Sequence, residues 1–305
     1  MSYQEFLDEI LKIMKDIYPN CMVEIIDVTK LNNVSLKGLV IRANGTNVVP
    51  NIYMESFYKL YKWNWKMEEI VQKIKETYEQ GLPTNEIDMS FFKKYELVKD
   101  KIVYRLINAD QNADLLKSIP HIRFWDLAIC FSFVFQSEEL GEGMILIHNS
   151  HLEMWQVEKE ELMKVAETNT PKLLPVQFCE MRHVLEQAGA EEDFDLDLLE
   201  PGCMYVLTNQ KKLHGSAVIL YPQVLSDIAA KIKRDFFILP SSLHEVLILP
   251  VKEDVDIMEQ MGEMCNMVTN VNSTQLDPDE ILSNNPFYYC YKERELRQLD
   301  PEVKS

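Results

Sequence analysis

Residues 213–251 read LHGSAVILYPQVLSDIAAKIKRDFFILPSSLHEVLILPV and form the most apolar and most regular stretch of the 305-residue chain. Three short runs within it lack polar alternation: 216–221, 235–239 and 245–249. Apolar runs of this length are typical of strands that are buried on both faces. The stretch therefore predicts three buried strands.

A helix is predicted between the first two strands, over residues 222–234. Proline suits the first turn of a helix, because its missing N–H has no partner there, and Pro222 stands at that position. Apolar residues follow at helical spacing, and the last turn is basic, as the helix dipole favours. Residues 240–244 supply a tight connection, so the stretch predicts strand, helix, strand, hairpin, strand.

The amino-terminal region predicts a second set of elements. Residues 2–18 have the apolar stripe and the capping-box spacing of a helix. Residues 21–28 and 34–42 alternate as two strands do. Residues 51–80 follow a helical pattern that breaks near Trp63, which predicts two helices.

Further elements are predicted between these regions and after them. Strands are predicted at 102–107, 125–135, 143–148 and 203–208. Helices are predicted at 157–167, 176–188 and 255–268, with a new helix beginning at Thr170 and Pro171. The acidic run 191–200 is expected to be a solvated loop, and the charged tail beyond residue 292 is expected to fray.

These elements predict an α+β fold with two regions. Residues 1–95 form a smaller α+β region with a helix, a two-stranded sheet and a pair of helices. Residues 96–305 form a larger domain, in which helices surround a mixed β-sheet.

The net charge of −18 disfavours the binding of DNA or RNA, because an acidic surface repels phosphates. The six cysteines are scattered and form no CxxC zinc signature, which fits a reducing compartment. The first 16 residues lack the apolar core of a signal peptide, and the apolar run 127–135 is too short to cross a bilayer. We therefore expect a cytoplasmic protein that does not engage membranes.

Several segments resemble one known family. They are VEIIDVTKLNNVSLKGLVIR (23–42), NIYMESFY (51–58), RLINADQNADLLKSIPHIRFWDLAICF (105–131), HNSHLEMWQVEKEELMKVAETNTPKLLP (148–175) and ILPSSLHEVLILP (238–250). The family is domain-of-unknown-function family 5688, of intestinal anaerobic bacteria. Residues 125–250 are also similar to the YtpQ-like proteins, a second uncharacterised bacterial family. Neither resemblance implies an activity, so neither assigns catalytic residues.

Positions that match the family pattern include Ser241, Ser242, His244 and Glu245, which put two hydroxyls, an imidazole and a carboxylate at a strand end. Three interpretations stay open: the serines close the hairpin by bonding its backbone, the group binds a ligand or partner, or it is catalytic. No GxSxG motif accompanies the serines, and Ser242 and His244 are too close in sequence for a usual nucleophile–base pair.

Asn149, His151, Leu152 and Trp155 also match the family pattern. Their spacing favours packing, with Asn149 or Ser150 capping a helix whose Leu152 and Trp155 point inward. Partner or ligand binding by Asn149, His151 and Trp155 is the alternative.

Two pairs have the spacing of metal ligands: His148 with His151, and Glu180 with His183. A di-iron carboxylate site needs two Glu-x-x-His motifs, and the chain has one. No glycine-rich phosphate loop is present either. We therefore expect neither a metal site nor a cofactor.

An aromatic belt lies in residues 53–65. It comprises Tyr53, Phe57, Tyr58, Tyr61, Trp63 and Trp65, more aromatic side chains than one helix face can bury. A partly exposed aromatic patch is a signature of protein interaction, so Tyr61 and Trp63 become candidate partner-binding residues.

The sequence favours a non-enzymatic factor that binds or regulates another protein. A special case is a factor from a phage or mobile element that acts on a host system. Two alternatives remain. One is an enzyme that uses the 241–245 group together with His151, and the other is a sensor of a small ligand bound between the two regions.

Overall fold

A computed structural model gives the fold. It describes residues 1–43, 45–46, 48–82, 90–137, 141–187, 202–240, 242–253 and 255–298. The chain divides into two compact units. The first comprises Met1–Phe91 with Gln136–Gly143, and the second comprises Phe92–Phe135 with Met144–Ser305.

The first unit begins with helix α1 (Tyr3–Ile17), as predicted. Ser2 and Glu5 form the predicted capping box: the Ser2 hydroxyl accepts from the Glu5 N–H, and the Glu5 carboxylate accepts from the Ser2 N–H. These bonds satisfy two N–H groups that a helix start leaves without partners.

A three-stranded antiparallel sheet follows, in the order β1 (Cys21–Thr29), β2 (Ser35–Ala43) and β3 (Ile52–Tyr53). The first two strands confirm the predictions, and the short 3₁₀ turn Leu31–Asn33 connects them. Strand β3 was not foreseen, because a two-residue strand has no periodicity to detect.

Helices α2 (Met54–Lys62) and α3 (Met67–Gly81) complete this unit, with the break at Trp63 and Asn64 that the sequence predicts. Asn64 has φ of 64°, a left-handed conformation that ends the first helix. Apolar side chains of the helices and the sheet form one core. Its buried members include Phe6, Ile10, Met14, Leu39, Ile41, Ile52, Met54, Ile70 and Ile74.

The second unit contains a sheet in the order β4 (Ile102–Asn108), β6 (Leu127–Ser137), β5 (His121–Phe124). Strand β7 (Gly141–Leu146) also pairs with β6. The predicted strand 125–135 begins two residues late, because Trp125 has φ of 54° and turns the chain between β5 and β6.

A six-stranded sheet forms the rest of this unit. Its order is β13 (Glu295–Gln298), β12 (Phe287–Cys290), β10 (Phe236–Leu239), β11 (Val246–Pro250), β9 (Tyr205–Asn209), β8 (Val176–Glu180). The α+β class is confirmed. The expected mixed sheet is wrong, since every neighbouring pair in this sheet is antiparallel. Strand β11 returns after a short connection and inserts between β9 and β10, which would otherwise lie side by side in parallel.

Further helices belong to the second unit. They are α4 (Tyr95–Val98), α5 (Ala113–Leu116), α6 (Asn149–Trp155), α7 (Lys159–Leu173), α8 (Met181–Gln187), α9 (Val224–Ile232) and α10 (Ile257–Thr274). Within the described ranges, none of the helices is both long enough and apolar enough to cross a bilayer.

Two predicted helix boundaries are wrong. Helix α7 continues through Pro171 instead of restarting there. Thr170 is buried inside the helix, where its hydroxyl donates to the Ala166 carbonyl, 2.6 Å away, and accepts from the Tyr104 N–H. The predicted helix 176–188 divides into strand β8 and helix α8, because 176–180 pairs with β9. The acidic run 191–200 lies outside the described residues.

The largest correction concerns the predicted strand 216–221, which is the 3₁₀ helix Gly215–Leu220. Its residues from Gly215 to Ile219 are buried, and a short run that is buried on every side does not reveal its period. The expected fraying beyond residue 292 is also wrong as far as Gln298, because Glu295–Gln298 pairs with β12.

Replacement of Gly215 by alanine should destabilise the protein. A Cβ atom there would meet the Thr208 hydroxyl and the His244 carbonyl closer than atoms pack, and would lie 3.0 Å from the Asn209 nitrogen. We expect a loss of about 1–3 kcal/mol in the free energy of unfolding, measured with urea. A Cβ on Gly262 would meet nothing within 4 Å, so Gly262→Ala in α10 should stabilise by roughly 0.5–1 kcal/mol. Equal effects of the two substitutions would contradict this packing.

Candidate functional site

Hydroxyl groups fix residues 242–244, which lie between β10 and β11. The Ser242 hydroxyl accepts from the His244 N–H at 3.0 Å. The Ser216 hydroxyl donates to the Leu243 carbonyl at 2.8 Å, and the Thr208 hydroxyl donates to the His244 carbonyl at 2.7 Å. Ser242 therefore closes the turn by bonding its backbone. Ser241 lies outside the described residues.

One ring nitrogen of His244 has a hydrogen-bond partner, and the other lies near a carboxylate. Its Nδ1 lies 3.1 Å from the Lys212 carbonyl, and its Nε2 lies 3.9 Å from a carboxylate oxygen of Glu280. Its side chain keeps 37% of its surface exposed. The imidazole is thus oriented by the Lys212 carbonyl, with its other nitrogen near an acid at the surface.

His214, which the sequence did not single out, stacks on His244 with ring centroids 5.6 Å apart. Its Nε2 lies 3.1 Å from Nη1 of Arg105. Burial, then Arg105, then His244 hold the pKa of His214 well below its ordinary value. The ring is therefore neutral at pH 7, so Nε2 accepts from the guanidinium and Nδ1 carries the proton.

Arg105 lies in the middle of β4 and is only 9% exposed. Cys130 in β6 is its cross-strand partner, and burial raises the pKa of that thiol to about 12, so it stays protonated. An arginine remains charged at neutral pH even though burial lowers its pKa. A buried charge of this kind is costly without a counter-charge.

These groups form what we name the polar row: Arg105, His214, His244 and Glu280. It runs from a buried cation through two stacked imidazoles to a carboxylate that is 46% exposed. Glu245 does not join it. Glu245 instead lines a separate cavity of about 270 Å³, together with Cys179, Thr208 and Lys212.

His151 and its neighbours have packing roles. His148, rather than Asn149 or Ser150, is the N-cap of α6, and its N–H donates to His151 Nδ1 at 3.0 Å. The His151 ring packs against Phe92 at 5.0 Å. The Trp155 indole N–H donates to the Phe92 carbonyl at 2.8 Å. This arrangement favours the packing interpretation.

Asn149 is held in the same way, since its side-chain amide donates to the Lys117 carbonyl at 3.1 Å. Nothing in the described part of the chain brings His151, His244 and Glu245 into contact. The structure therefore gives no support to an enzyme that would use all three.

The pairs with metal-ligand spacing do not make a recognisable metal site. Glu180 ends strand β8 and His183 lies in α8, so the two do not share one helix. Among the described residues, no group of three or more His, Cys, Asp or Glu side chains is arranged to hold a metal ion.

The aromatic corner, which we define as Tyr61, Trp63 and Trp65, joins α2 to α3. Tyr61 packs on Phe6 with ring centroids 5.7 Å apart and is half-buried. Trp63 is 72% exposed and Trp65 is 40% exposed. Tyr61 therefore belongs to the edge of the core, whereas the two tryptophans face solvent.

A shallow depression of about 400 Å³ lies at this corner. It is lined by Met1, Tyr61, Lys62, Asn64, Trp65 and Lys66.

Comparison with known proteins identifies the family but no activity. A family model described as a family of unknown function (DUF5688) matches residues 3–291. The chain belongs to the DUF5688 family. No curated protein and no solved structure matches it. The site of this DUF5688 chain must therefore be argued from its own geometry.

Of the polar row, only His244 was a candidate from the sequence. One signal was present: Arg105 interrupts the apolar run IVYRLI, where a strand buried on both faces has no solvent to receive a charge. His214 offers no such signal, because it meets Arg105 across 109 residues of sequence.

The depressed pKa of His214 should make the DUF5688 protein less stable in mild acid. Below about pH 6.5, His214 binds a proton in the unfolded chain but stays neutral in the folded chain. The free energy of unfolding should then fall by up to about 1.4 kcal/mol per pH unit until the pH reaches the folded-state pKa.

His214→Asn should remove this contribution, because asparagine does not titrate and tolerates the left-handed backbone at this position, where φ is 46°. His183→Asn, at an exposed histidine of α8, is the matched control and should keep the slope. Urea unfolding at pH 7, 6 and 5 measures both. An unchanged slope in His214→Asn would show that another group causes the pH dependence.

Proposed function

We propose that this DUF5688 protein is a non-enzymatic factor that binds an acidic segment of another protein through its aromatic corner. The exposure of Trp63 carries this proposal. At 72% exposed, Trp63 leaves more of its surface to solvent than any other large apolar side chain in the described ranges. Tryptophan is among the residues that most often dominate binding energy at protein interfaces.

The corner presents its tryptophans on an ordered backbone. The Trp63 N–H bonds the carbonyls of Lys59 and Leu60, each at 3.0 Å, and the Trp65 N–H bonds the Leu60 carbonyl at 3.2 Å. Little backbone freedom remains to be lost on binding, so more of the contact energy appears as affinity.

The aromatic corner lies in a locally basic segment, whereas the chain as a whole is acidic. Four lysines and two glutamates fall within residues 59–73, whereas the whole chain carries −18. All four lysines are exposed: Lys59, Lys62, Lys66 and Lys73. A locally basic, aromatic surface fits an acidic partner segment, because complementary charge steers association and fixes orientation.

The test uses two labelled 20-residue peptides, one of alternating Glu and Leu and one of alternating Lys and Leu. We expect the protein to bind the acidic peptide and not the basic one. Trp63→Ala should weaken that binding by at least about tenfold, and Lys62→Glu should weaken it and reduce its salt dependence. Fluorescence anisotropy gives the dissociation constants.

Leu97→Ala is the matched control, because Leu97 is 58% exposed but lies outside the aromatic corner, and it should bind as the wild type does. Tyr61 is not substituted, since it packs on the core. Equal affinity for the two peptides, or unweakened binding by Trp63→Ala, would refute the proposal. Binding to phosphatidylglycerol vesicles but not to the acidic peptide would assign the corner to a lipid surface instead.

A further inference from the structure

The Nε and Nη2 edge of the Arg105 guanidinium makes no hydrogen bond to the described part of the chain. Nη1 donates to His214, while Nε is buried without a partner among the described residues. Nη2 makes no hydrogen bond to the described part of the chain either, and unlike Nε it is not fully buried. Nε and Nη2 carry the parallel pair of N–H groups that can donate two bonds to a carboxylate or a phosphate. A two-pronged donor therefore remains unpaired within the second unit.

No acidic side chain compensates the charge. In the described ranges, none of the Asp or Glu carboxylates lies within ion-pair distance of Arg105, and its one hydrogen-bond partner is a neutral imidazole. The carboxylate of the polar row, Glu280, approaches His244 instead of Arg105. A cation that is 9% exposed thus stands without a counter-ion from the described chain.

Two other buried donors of the second unit also lack partners among the described residues. His214 Nδ1 carries a proton and is buried without a partner in the described part of the chain. The Ser132 hydroxyl, 0% exposed, is in the same state. Ser132 pairs with Val103 and Cys130 pairs with Arg105, so Ser132 and Arg105 share one face of the sheet. Each of these groups can donate to an oxygen, and the guanidinium adds a positive charge.

We propose that Arg105 binds the oxyanion of a small molecule, either a carboxylate or a phosphate group, through Nε and Nη2. His214 is a positioning residue: by accepting from Nη1 it fixes the plane of the guanidinium. Ser132 supplies a further donor. This site involves residues of the second unit only and does not rest on the proposed function of the aromatic corner.

The stability consequences distinguish a ligand site from a structural one. An apolar residue in place of an unpaired buried charge is often neutral or stabilising, whereas the loss of one member of a satisfied buried pair is strongly destabilising. An unpaired buried charge lowers the stability of the fold, and such unfavourable groups are expected at functional sites. Arg105 is an unpaired buried charge, so its replacement by an apolar residue should cost little stability.

The experiment follows the melting temperature of the full chain at constant ionic strength in chloride, acetate or inorganic phosphate. One of the two oxyanions should raise it by about 4 °C or more over chloride, which also tells a carboxylate site from a phosphate site. Arg105→Met removes the buried charge but also the donor to His214 Nε2, so the two effects offset each other: its melting temperature in chloride should change little, and the anion-dependent rise should be lost. Arg105→Lys, which keeps the charge but lacks the fork, should lose most of that rise.

Arg123→Met is the matched control. Arg123 is half-exposed and pairs with Asp110 at the surface, so its loss should leave the anion-dependent rise intact. The proposal is overturned if neither oxyanion raises the melting temperature of the wild type, or if Arg105→Lys responds as the wild type does. It is also overturned if Arg105→Met melts several degrees lower in chloride, because Arg105 would then serve the fold.

Discussion

Two hydrogen bonds from hydroxyl to carbonyl, Ser216 to Leu243 and Thr208 to His244, fix the place in the second unit where β9, the 3₁₀ helix and the connection to β11 meet. They join the end of β9 and the start of the 3₁₀ helix to the connection that precedes β11. Gly215 permits this close approach because it has no side chain. Strand β11 lies between β9 and β10 and is antiparallel to both.

The same crossing point builds the polar row. The left-handed backbone of His214 directs its ring toward both Arg105 and His244. His214 accepts a hydrogen bond from the buried guanidinium, but because the imidazole is neutral it does not compensate the positive charge. The guanidinium therefore keeps a positive charge that no described carboxylate neutralises and that a bound oxyanion would neutralise. The Asn149–Trp155 segment differs, because its polar groups are satisfied by packing and hydrogen bonds within the chain.

The first unit concentrates its exposed surface differently. Its helices share one core, so the bend at Trp63 and Asn64 falls where the core ends. Tyr61 still reaches Phe6, while Trp63 and Trp65 project beyond the last buried turn among exposed lysines. A basic aromatic corner on an acidic chain is a local property that neither composition nor net charge reveals.

Periodicity and capping chemistry by themselves determined helix α1, strands β1 and β2, the break after Lys62 and the α+β class, because these depend on contacts between residues close in sequence. The exposure of part of the aromatic belt also followed from the sequence, since one helix face cannot bury six rings. Tertiary structure alone decided that 215–220 is a 3₁₀ helix, because a short run buried on every side does not show its period. It alone decided that 176–180 is a strand, because these residues pair with β9. It alone placed Arg105 beside His214, since a hydrogen bond across 109 residues depends on how the elements pack and leaves no local pattern.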